Sequence, residues 1–80
     1  MEEQPKSYTA GGAKIWYLPS KGMNHYHRLD GPAVEDVDGI KHWYVDGKHL
    51  PTKEVEDWLE ENAIDLSTEA GQMAFKLRWS

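Results

Sequence analysis

The residues with chemistry to offer are four histidines, one arginine ahead of a turn, and a scatter of carboxylates. His25 and His27 stand two apart, so an extended backbone puts both imidazoles on one side, a spacing zinc accepts. Zinc then needs a third and usually a fourth ligand from His42, His49, Asp30 or Glu35, and no spacing in the sequence fixes those in space. The histidines are therefore expected on the surface or bonded to turns, with no metal and no cofactor. In His27-Arg28-Leu29-Asp30, Asp30 can accept nearby backbone N–H groups and Arg28 can pair with a carboxylate, a network around the Gly31-Pro32 turn with a scaffold role. Glu35 and His42 fall opposite each other if the segment between them is a tight hairpin, and such a pair could move a proton. Catalysis would also require a pocket and a group to stabilise developing charge, and a flat sheet face supplies neither. The chain has no G-x-S-x-G, H-E-x-x-H, P-loop or G-x-G-x-x-G motif and no cysteine, so the expectation is a protein that is not an enzyme.

The elements that must position these groups are announced by turns. Gly12-Ala13-Lys14-Ile15-Trp16-Tyr17-Leu18 is echoed by Gly39-Ile40-Lys41-His42-Trp43-Tyr44-Val45. Each copy follows a hairpin signal, Gly11-Gly12 or Asp38-Gly39, and Asp46-Gly47 supplies a third, because two-residue hairpin loops need positive φ. Two-residue loops set Tyr8 opposite Ile15, Val34 opposite Trp43, Glu35 opposite His42, Asp36 opposite Lys41, Tyr44 opposite His49, and Trp43 opposite Leu50. Alternation then puts Val34, Trp43, Val45 and Leu50 on a core face. Glu35, His42, Tyr44 and His49 fall on a wetter one, with Val37 and Ile40 at its hairpin end. Trp16 and Leu18 share the core side in the first copy, Ile15 and Tyr17 the other. After Leu50 the period changes. Thr52 is expected to cap a helix whose stripe is Val55, Trp58 and Leu59. Ser67 is expected to cap a second, with Ala70, Met73, Ala74 and Leu77 at helical spacing. Residues 73–79 also alternate as a strand would, and the polar start at Ser67-Thr68-Glu69 favours the helix. The fold class is α+β. It is a single domain over 1–80, with an antiparallel β-meander of two hairpin units over 7–50 followed by one or two helices over 52–79.

Composition narrows the partners. Nine basic residues are interspersed with fourteen acidic ones, for a net charge of −5. A protein that grips a phosphate backbone clusters its Lys and Arg, so direct nucleic-acid binding is disfavoured. The polar, acidic start lacks the charge and apolar run of a signal peptide, and no apolar run reaches membrane-spanning length, which suits a cytoplasmic protein. The predicted contact surface is the outer strip Tyr8, Tyr17, His42, Tyr44 and His49, with Arg28 beside it, since Tyr supplies large contact area at small entropic cost. An acidic docking strip on the first helix, Glu54, Glu56, Asp57, Glu60 and Glu61, is the second candidate.

The stretch His27-Arg28-Leu29-Asp30-Gly31-Pro32-Ala33, followed by Gly39-Ile40-Lys41-His42-Trp43-Tyr44-Val45-Asp46-Gly47-Lys48, resembles a MORN-like repeat of small bacteriophage proteins, other viruses and some bacteria. The resemblance covers roughly residues 9–50, with one clear unit and one degenerate unit that carries an insert around Lys21–Asn24. It implies stacked β-hairpins, a phage setting in the host cytoplasm, and a protein that binds and modulates or inhibits a host or defence protein. It also implies that His-Arg-Leu-Asp is scaffold. Two alternatives stand beside that reading. One is a nucleotide-type ligand binder using Arg28, His25 and His27. The other is a module that forms homo-oligomers through its outer face.

Overall fold

The computed structural model describes residues 3–80. Five antiparallel strands lie in chain order: β1 (Lys6–Ala10), β2 (Ala13–Tyr17), β3 (Val34–Glu35), β4 (Lys41–Val45) and β5 (Lys48–Leu50). Two helices follow, α1 (Thr52–Glu61) and α2 (Glu69–Trp79). The class is α+β, a meander with C-terminal helices, as the turn signals and the change of period require. Gly11 and Gly12 both have positive φ, +57° and +86°, the backbone a two-residue β1–β2 turn demands. The register follows, with Tyr8 opposite Ile15 and Ala10 opposite Ala13. Asp46-Gly47 likewise sets Trp43 opposite Leu50 and Tyr44 opposite His49.

The Asp38-Gly39 turn behaves differently and corrects the expected register. The Asp36 N–H donates to the Ile40 carbonyl at 2.8 Å and the Gly39 N–H to the Asp36 carbonyl at 2.9 Å, which leaves Val37, Asp38 and Gly39 in the loop. This is the longer hairpin connection in which a glycine of positive φ, here Gly39 at +87°, closes a turn. Val34 consequently faces His42 and Glu35 faces Lys41. A one-residue slip moves a side chain to the other face of the sheet. Val34 thus leaves the core, and Ala33, fully buried, takes the place expected for it.

The central slot between β2 and β4 is filled by two pieces of chain. β3 occupies one end, and residues 25–28 occupy the other. Their backbone bonds β2 on one side (Leu18 N–H to the His25 carbonyl, His27 N–H to the Trp16 carbonyl) and β4 and its turn on the other (Arg28 N–H to the Tyr44 carbonyl, Gly47 N–H to the Tyr26 carbonyl). Tyr17 and Tyr26 face each other in an antiparallel bridge.

Both helices close one face of the sheet. The core joins Trp43, Val45 and Leu50 to Val55 of α1 and Phe75 and Trp79 of α2, with Leu29, Trp58, Leu59 and Leu66 at its margin. Three details depart from expectation. Helix α1 begins at Thr52 with Pro51 at the cap position, and the Thr52 hydroxyl donates to the Lys41 carbonyl, tying helix to sheet. Helix α2 is capped by Thr68, whose hydroxyl oxygen accepts the Gly71 N–H, while Ser67 bonds the Asp65 carboxylate. The buried stripe of α2 is Gly71, Phe75 and Trp79, so Met73 and Leu77, expected inward, are 54% and 75% exposed. Phe75 and Trp79 bring more apolar area than Met73 and Leu77, and Gly71 lets the helix approach the Asp65 carbonyl closely.

Candidate functional site

Register and alternation divide the aromatic side chains by type. Tyr8 pairs with Ile15, Ile15 with Val34 and Val34 with His42, one row across the open face of the sheet. Tyr17 faces Tyr26, the Tyr26 ring packs edge-on to Tyr44 at 5.1 Å, and Tyr44 faces His49, a second row. All four tyrosines of the chain therefore stand on the face the helices leave uncovered, partly exposed, while Trp43, Trp58 and Trp79 belong to the helix-side core or its margin. The rings brace one another. Tyr8 meets Tyr17 edge-on at 5.5 Å, Tyr44 meets His49 at 5.0 Å, and His42 lies 6.1 Å from His49. Such pairs fix the ring positions, so the face loses little freedom on contact. Few charges interrupt it. Lys6 stands opposite Tyr17 at one margin, and Asp36 bonds the His42 imidazole at 2.8 Å at another.

The structure thus brings Tyr8, Tyr17, His42, Tyr44 and His49 together and adds Tyr26, which sequence reasoning missed. A signal was present: putting His25 and His27 on one side of an extended segment sends Tyr26 to the other. Arg28 is not part of the strip. It lies on the opposite side of the sheet, its guanidinium 4.4 Å from the centre of the Trp16 ring. Its Nε donates to Asp30 at 2.7 Å and its Nη1 to the Pro32 carbonyl at 3.1 Å, with Glu35 at 3.5 Å. Gly31 packs so closely that an added Cβ would sit 2.9 Å from the Arg28 Cζ. Arg28 is the fastening of the Asp-Gly-Pro turn. Glu35, expected opposite His42, faces Lys41 instead, so that acid–base pair does not form.

His25 and His27 both serve Asp46. The His25 Nε2 lies 3.0 Å from the Asp46 carboxylate, and the buried His27 accepts the Asp46 backbone N–H at Nδ1, at 2.8 Å. Asp46 has φ +53°, the left-handed backbone that an L-residue rarely adopts, and these two bonds hold it there. Burial pushes the His27 pKa below its ordinary 6.5, and the His25 hydrogen bond draws the Asp46 carboxyl below its usual 3.8. With Nδ1 of His27 engaged, the two imidazoles do not present a ligand pair. Among the described residues no group of three or more His, Asp or Glu is placed to hold a metal ion.

On the helix side, two clefts of about 180 Å³ each are both lined by Glu3 and His27. The Glu3 carboxylate accepts hydrogen bonds from the Ser20 backbone and hydroxyl, which hold its pKa below the usual 4.5. His25, His27 and Arg28 direct their bonds to Asp46, Asp30 and Pro32, not to a common opening, so they do not assemble a phosphate site. The acidic strip Glu54, Glu56, Asp57, Glu60 and Glu61 is exposed along α1, with Lys53 bonded to Asp57 at 2.7 Å.

Comparisons with family models, with curated proteins and with solved structures return no match. Among the described residues no helix is long and apolar enough to cross a membrane.

Proposed function

We propose that this is a non-enzymatic, phage-type protein of MORN-like hairpin repeats that binds a host or defence protein through its open sheet face and modulates or inhibits it. The observation that carries the reading is the segregation of aromatics: four tyrosines and two histidines gather on the uncovered face, and the helix-side face buries the tryptophan-rich core. Tyrosine-rich, charge-poor surfaces are the composition of protein contact sites, because a braced ring offers apolar area and a hydroxyl at low entropic cost. The net charge of −5 disfavours a nucleic-acid partner for the same surface. The phage and host-cytoplasm setting rests on the His-Arg-Leu-Asp-Gly-Pro-Ala resemblance.

The deciding experiment captures partners from host lysate with the wild type and two variants. His42→Ala with Tyr44→Ala strips the face; Glu56→Lys with Glu60→Lys reverses charge on α1. The expected result is a protein retained by the wild type and the α1 variant and lost by the face variant, with all three folded by circular dichroism. Loss confined to the α1 variant would move the site to the helix. No capture by any of them would remove the reading.

A further inference from the structure

We propose that β1 is a self-complementary edge through which two copies of this chain join into one continuous sheet. β1 and β5 are the two edge strands. An edge strand is a template for another chain unless it is short, charged, bulged or broken by proline. β5 is guarded by its length: it covers only Lys48–Leu50 and runs straight into Pro51 and α1, whereas Pro5 and Lys6 stand at the very start of β1 and leave Ser7–Ala10 clear. β1 has five residues, Lys6–Ala10, with no proline or bulge, and all but Tyr8 are exposed.

The direction of its free backbone groups follows from the ladder. The two-residue Gly11-Gly12 turn makes Ala10 and Ala13 a hydrogen-bonded pair, and such pairs recur at alternate positions, Tyr8 with Ile15 and Lys6 with Tyr17. β2 agrees, because the Trp16 N–H points away from β1, to the Ala33 carbonyl. Ser7 and Thr9 therefore turn their N–H and C=O groups outward. Rotate a second copy about a two-fold axis through Tyr8, and Ser7 of one chain faces Thr9 of the other, each pair able to exchange both main-chain hydrogen bonds. The side chains suit this register. Hydroxyl faces hydroxyl at Ser7 and Thr9, Tyr8 meets its own copy on the open face, and each Lys6 faces an Ala10, so the two lysines stay apart. The contact is isologous and closed, so pairing stops at two chains. It also sets two tyrosine faces side by side on one sheet.

Sedimentation equilibrium tests the pairing. The expected result is a mass that rises with concentration from 9.2 kDa to twice that and no further. Thr9→Pro removes a donor that the monomer's own ladder does not use, and Tyr8→Lys sets like charges opposite each other on the axis. Each should weaken dimerisation by roughly tenfold or more while leaving the circular dichroism unchanged. In the wild type, the Ser7 and Thr9 amides should gain protection from hydrogen exchange as concentration rises. A wild type that stays at 9.2 kDa at millimolar concentration would overturn the proposal. So would a dimer that survives both variants, or one that only Tyr44→Ala dissolves, since that dimer would pair through the face.

Discussion

His27 carries its proton on Nε2, because Nδ1 accepts the Asp46 N–H at 2.8 Å. A proton added to Nδ1 would set two donors against each other at the β4–β5 turn. Burial lowers the pKa of His27 in the fold, whereas the unfolded chain keeps the ordinary 6.5. The unfolded chain therefore takes up the proton first. Stability is at its full value above about 6.5 and falls as the pH drops below it, by up to about 1.4 kcal/mol per pH unit, until the folded protein also protonates. Asp46 acts in a separate window, because its carboxyl is held below 3.8 and its contribution is lost only at stronger acidity. Urea denaturation at neutral pH and at about pH 5 should show the first fall, and His27→Gln, whose carbonyl can still accept the Asp46 N–H, should flatten it. Parallel curves for wild type and variant would assign the fall to another group. Much of the residue-scale chemistry was legible in advance. Asp30 beside Arg28 ahead of a Gly-Pro turn reads as scaffold, and the structure fastens it as one. The role of His27 was not legible, because its partner lies in a turn 19 residues away and is a backbone N–H, which has no sequence signature.

The two helices differ in where they hold their close approaches, and two opposite substitutions test this. A Cβ added at Gly71 would lie 1.9 Å from the Asp65 carbonyl oxygen. Replacing a helical glycine by alanine normally stabilises by about 1 kcal/mol. Here the overlap dominates, and Gly71→Ala is expected to destabilise by about 3 kcal/mol. At the end of α1, the Ile64 N–H bonds the Leu59 carbonyl at 2.9 Å and the Ala63 N–H the Glu60 carbonyl at 3.2 Å, the paired bonds of a Schellman ending. Ala63 sits there at φ +51°, where glycine is the favoured residue. Ala63→Gly should stabilise by about 0.5–1 kcal/mol, because relief of the left-handed backbone exceeds the entropy a glycine adds to the unfolded chain. Urea midpoints of the two variants should move in opposite directions, and a shared direction would defeat the argument. Sequence could place the helices but not this detail. Gly71 looks like a blemish in a helix until Asp65 is known to lie against it, and an alanine announces no helix ending. The same limit explains the hairpins. Gly11-Gly12 and Asp46-Gly47 gave the right register, whereas Asp38-Gly39 is compatible with a two- or a three-residue loop, and the chain adopts the longer one.

Across the whole molecule, one sheet keeps two kinds of aromatic residue on two faces. The helix side buries Trp43, Val45, Leu50, Val55, Phe75 and Trp79, and the open side displays the tyrosines. The alternation of Trp and Tyr in Ile15-Trp16-Tyr17 and His42-Trp43-Tyr44 made this division legible from sequence; the second row through Tyr26 needed the fold, because residues 25–28 complete the central slot only once β2 and β4 are in place. If stability lives on one face and contact on the other, the two faces must answer differently to truncation. A domain of this size holds roughly 4–12 kcal/mol in all. Phe75 is fully buried and touches Trp43 edge-on at 5.5 Å, so Phe75→Ala should remove about 3–5 kcal/mol and leave much of the chain unfolded. Tyr17 is half-buried and braced chiefly by Tyr8 at 5.5 Å, so Tyr17→Ser should cost only about 1 kcal/mol and leave the fold intact. Thermal unfolding of the two variants checks this directly. If Tyr17→Ser were as damaging as Phe75→Ala, the open face would be a second core, and its tyrosines would be committed to holding the sheet together and unavailable to a partner.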